Sequence, residues 1–159
     1  MTWCSAAAAQ VTVENPKLRK FVEHVDREWA GDSQQQIVTV TSLRLLADAV
    51  EAVGRRSADH ASIDRDIAEL RAMTGEYERG TAGDPQQSKR LRGTLLAASQ
   101  IVERTVKAAG LAGRPDPRLS AMERAAKSLD DDAPLRRQPD VLERFFHHAA
   151  EALRRIDGT

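Results

Sequence analysis

Leu18, Phe21, Val22, Val25 and Trp29 recur at spacings of three and four, the interval that returns a side chain to the same helical face. Asn15-Pro16 stands just before them: a capping side chain, then a residue whose fixed backbone angle suits the first helical position. Gly31 follows the last member of the stripe, where helices commonly end. The pattern predicts a first helix between these signals. In the next stretch, Ser33 and Gln36 fit a capping box. Val38, Leu43, Leu45, Leu46, Ala49, Val50 and Val53 then form a broad face. Arg44, Asp48, Glu51 and Arg55 lie opposite, with Arg44–Asp48 and Glu51–Arg55 at i,i+4. Ile37 to Thr41 is rich in β-branched residues, but a lone strand would have no partner, so the stretch reads as helix.

A third helix is predicted from about His60 to Arg79, with Ile63, Ile67, Leu70, Met73, Thr74 and Tyr77 on one face. Asp84-Pro85 repeats the cap-then-proline start and opens a long fourth helix carrying Leu91, Leu95, Ala98, Ile101, Val102, Thr105, Val106 and Ala109, ended by Gly110. Asp116-Pro117 opens a short fifth helix with Leu119, Met122, Ala126 and Leu129. That helix should stop at Asp130–Asp132, because acidic groups are unfavourable at a helix C-terminus. After Pro134 and Pro139 a last helix presents Leu142, Phe145, Phe146, Ala149, Leu153 and Ile156. The expected fold is therefore all-α: an antiparallel helical bundle with a four-helix core and two additional C-terminal helices. Residues 1–13 read as a flexible N-terminal arm without a charged side chain, and residues 14–159 as a single domain. The connector at 111–117 is the candidate subdomain boundary.

One place breaks the amphipathic pattern. With Ile37 set at zero on the helical wheel, Val38 falls at about 100°, Val40 at about 300° and Leu43 at about 240°. A helix apolar all round should be covered on every side. Ile37, Val38, Val40 and Leu43 are thus the candidate interface residues. The cover is either the chain's own arm through Trp3, Val11 and Val13, a second copy of the chain, or a different partner.

Composition narrows the chemistry. The chain has 159 residues, 41% hydrophobic and 30% charged, which is globular and not disordered composition. Its 24 basic and 24 acidic side chains cancel, so no general polyanion-binding field is expected. Cys4 is the single cysteine, which excludes an internal disulfide. The arm lacks the basic start and apolar run of a secretion signal. No apolar run approaches the roughly 20 residues that span a bilayer. A cytoplasmic location and no membrane partner are the expectation.

Candidate chemistry is sparse. Glu143, His147 and Glu151 share one face of the last helix and are the weak candidates for metal ligands, but that face points away from the apolar stripe. The inward Glu-x-x-His pairs of a di-iron bundle are absent. His24 and His60 read as boundary histidines. No nucleophile elbow, Ser-x-x-Lys pair, Walker loop or Gly-x-Gly-x-x-Gly run is present. Lys89, Arg90, Arg92, Arg104 and Lys107 make the fourth helix basic, but spread over roughly 160° of its wheel, so nucleic-acid binding is disfavoured. With no cofactor expected and no catalytic residues to name, the reading is a non-enzymatic protein-interaction module of regulatory, adaptor, chaperone or immunity type. It would bind a protein partner or form a homo-oligomer. The alternatives are a small-molecule- or metal-binding bundle and a nucleic-acid-binding regulator.

Overall fold

In the computed structural model, which describes residues 15–28, 35–55, 60–80, 84, 86–111, 116–129 and 139–157, Asn15 caps the first helix. Its Oδ1 accepts from the Lys17 amide at 2.9 Å, and α1 runs Pro16–Glu28. Trp29, Gly31 and Ser33 lie outside the described residues. α2 spans Gln35–Gly54, so Ile37–Thr41 is helical, as the lack of a partner strand required. α3 covers His60–Arg79 and α4 Gln86–Val106, extended by a π-helical turn, Lys107–Leu111. α5 is Pro117–Lys127 and α6 Pro139–Asp157. The described residues are thus all-α, with no strand among them.

The six helices alternate between two roles. α2, α4 and α6 contact one another, and each of the other three fills a groove between two of them: α1 between α2 and α6, α3 between α2 and α4, α5 between α4 and α6. Burial follows the same division. α3 buries one line of residues, Ile63, Ile67, Leu70, Thr74 and Tyr77. α2 buries Val38, Val40, Leu43, Leu46, Ala47, Ala49, Val50 and Val53, which spread over about 200° around its axis. The breadth of the apolar face sets the position: a narrow stripe can be covered by two neighbours, whereas a broad one needs four.

This arrangement differs in detail from a four-helix core carrying two appended helices. α6 belongs to the centre. Adjacent Phe145 and Phe146 are both 0% exposed, their rings meeting edge-on with centroids 5.3 Å apart. Phe146 also meets Phe21 of α1 at 6.5 Å. Two neighbouring rings on one helix diverge by about 100°, so burying both requires cover on two sides.

Polar pairs fix the chain directions. Arg44 pairs with Glu78, while Arg71 reaches Asp48 at 2.8 Å and Glu51 at 3.0 Å, so α2 and α3 run antiparallel. Arg104 pairs with Asp66 at one end of the α3–α4 hairpin, and Gln87 bonds Tyr77 at the other, which makes that pair antiparallel too. Of the two i,i+4 pairs expected on α2, Glu51–Arg55 forms at 3.5 Å. Arg44 instead crosses to Glu78, and Arg71 takes Asp48, because an outer helix brings opposite charges alongside.

Candidate functional site

The start of α2 was the place where sequence pattern pointed to a contact, and the structure divides its four residues. Val38, Val40 and Leu43 are 6%, 4% and 0% exposed and belong to the chain's own continuous hydrophobic core. They are covered because four helices pack around α2 on the side away from Arg44, Asp48 and Glu51, and the Ile37 side stays open. Ile37, at 60% exposure, is the one large hydrophobic side chain left on the surface among the described residues. Of the four, only Ile37 is open to solvent. The arm residues Trp3, Val11 and Val13 lie outside the described residues.

The acidic and histidine residues of α6 do not converge. His147 stands half-exposed, with Asp26 of α1 3.9 Å from its Nδ1 and Glu143 3.7 Å from its Nε2. The two carboxylates sit against opposite nitrogens of one ring, and a metal ion held by either nitrogen would meet one carboxylate and not both. Glu151 is drawn away to α5, where it accepts from Arg118 Nε at 2.9 Å. No group of three or more His, Cys, Asp or Glu residues able to hold a metal ion occurs among the described residues.

Cations on the fourth helix are largely engaged within the fold. Arg90 bonds Asp84 at 3.2 Å and the Gln87 amide oxygen at 3.1 Å. Arg104 joins Asp66 and Ser62 of α3, and Lys107 pairs with Glu103 at 3.0 Å.

Several buried hydroxyls are satisfied within their own helix. Thr74, Thr94 and Thr105 each donate to the carbonyl four residues back, at 2.8 Å. Ser42 donates to Val38 O at 2.7 Å, which leaves its oxygen to accept from His24 Nε2–H at 2.9 Å. That bond joins α1 to α2 in the interior. Sequence reading placed His24 at the edge of the stripe and missed the bond; its position between Phe21 and Val25 was the available clue. At the α5–α6 seam the Asp116 carboxylate, fully buried, accepts from the Arg118 amide at 2.9 Å and meets Arg155 at 3.2 Å. The cap was legible in the sequence, but its ion pair with a residue 39 positions away was not. Among the described residues, His148 Nδ1 is the one buried side-chain atom without a hydrogen-bond partner. No described helix is long and apolar enough to cross a membrane. Comparison with protein-family models, with curated proteins and with solved structures gives no match for the chain.

Proposed function

We propose that the chain is a non-enzymatic interaction module that binds a protein partner through its helical surface, with Ile37 in the contact. The observation that carries this reading is where the buried donors point. The hydroxyls of Ser42, Thr74, Thr94 and Thr105 and the Gln87 amide donate to main-chain carbonyls of the bundle itself. A small-molecule site needs a few polar groups that converge on a cavity with hydrogen-bonding capacity to spare. Here those donors are spent on the scaffold, a lone His148 Nδ1 does not make a convergent set, and recognition falls to the outside. Ile37 supplies an apolar anchor there, at the first turn of a helix held rigidly by four others.

The test is native mass spectrometry of the protein purified from its own host, comparing wild type with Ile37→Asp. Wild type should carry a protein subunit, and Ile37→Asp should lose it. Because Ile37 is exposed, the substitution should shift stability by less than about 0.5 kcal/mol. A wild-type chain that carries a small molecule and no second subunit would overturn the proposal.

A further inference from the structure

We draw no further inference here: the strongest candidate, the outward face of α3 on which Asp64, Arg65, Glu76 and Arg79 flank Ala68 and Ala72, is an unpartnered helix face, and nothing in the structure shows what covers it.

Discussion

Gly80 and Gln87 share one small space at the end of α3. The Tyr77 carbonyl there accepts from the Gly80 amide at 3.2 Å and from Gln87 Nε2 at 2.9 Å. A Cβ on residue 80 would overlap the Gln87 amide, so a side chain there and the Gln87 amide compete for the same space. Gly80→Ala should displace Gln87 from the Tyr77 carbonyl and cost about 1–3 kcal/mol in denaturant unfolding. Adding Gln87→Ala to that variant should cost little more, since the bond is already gone. Full additivity would show that the two residues act separately. The Tyr77 ring offers a second test. Burial raises its phenol from 10.0 to about 12, because the charged form is poorly solvated there. Its contribution is whole below the unfolded value near pH 10, and it is lost as pH rises from there through the folded value. About 2–3 kcal/mol should disappear across that window in wild type and remain in Tyr77→Phe. Tyr77 is the chain's single tyrosine, so phenolate absorbance reports it directly. A native midpoint at the denatured value would contradict the burial.

Helix starts were the most legible elements, because a cap is local chemistry. Asn15, Asp84 and Asp116 each accept from the amide two residues on, at 2.9 Å, as their Asn/Asp-Pro sequences indicate. The caps nevertheless differ in ways that sequence spacing does not reveal. Asp84 is partly open to solvent, and the Gln86 amide, then Arg90, hold its carboxyl below the usual carboxylate range. Asp116 is enclosed and also faces Arg155. Asp116→Ala should therefore remove a cap and leave a guanidinium facing no counter-charge, for a loss of about 2–4 kcal/mol by thermal or denaturant unfolding. Asp116→Asn keeps a capping oxygen and should recover part of that loss. Equal losses in the two variants would mean that the Arg155 pair accounts for the whole effect. The helix faces were equally readable for α1, α3 and α6, whose stripes are buried except at the half-buried Met73, with Trp29 outside the described residues. Cross-helix pairs such as Arg44–Glu78 were not, since they depend on which helices become neighbours and in what register.

At the scale of the whole molecule, the division into inner and outer helices was half visible. The breadth of the apolar face on α2 marked it as central, but the cover on every side that the wheel at Ile37–Leu43 demanded stops short of Ile37, which is exposed. The role of α6 was harder to see, because its position late in the chain resembles an addition to a finished bundle. Chain order does not record packing order. α6 touches α1, α2, α4 and α5, and contributes Leu142, Phe145, Phe146, Ala149, Ala152 and Leu153, all 0% exposed. Without it, α1 would lose the partner of Phe21, and α2 and α4 would each expose one apolar side. Losing two fully buried phenylalanines alone costs about 6–10 kcal/mol at about 3–5 kcal/mol each, comparable with the whole stability of a domain this size. A fragment ending at residue 138 should consequently show no cooperative thermal transition by circular dichroism. Supplying residues 139–157 as a separate peptide should restore one in part. If the fragment instead melts cooperatively near the temperature of the full chain, the first four helices form a core of their own and α6 is an appendage after all.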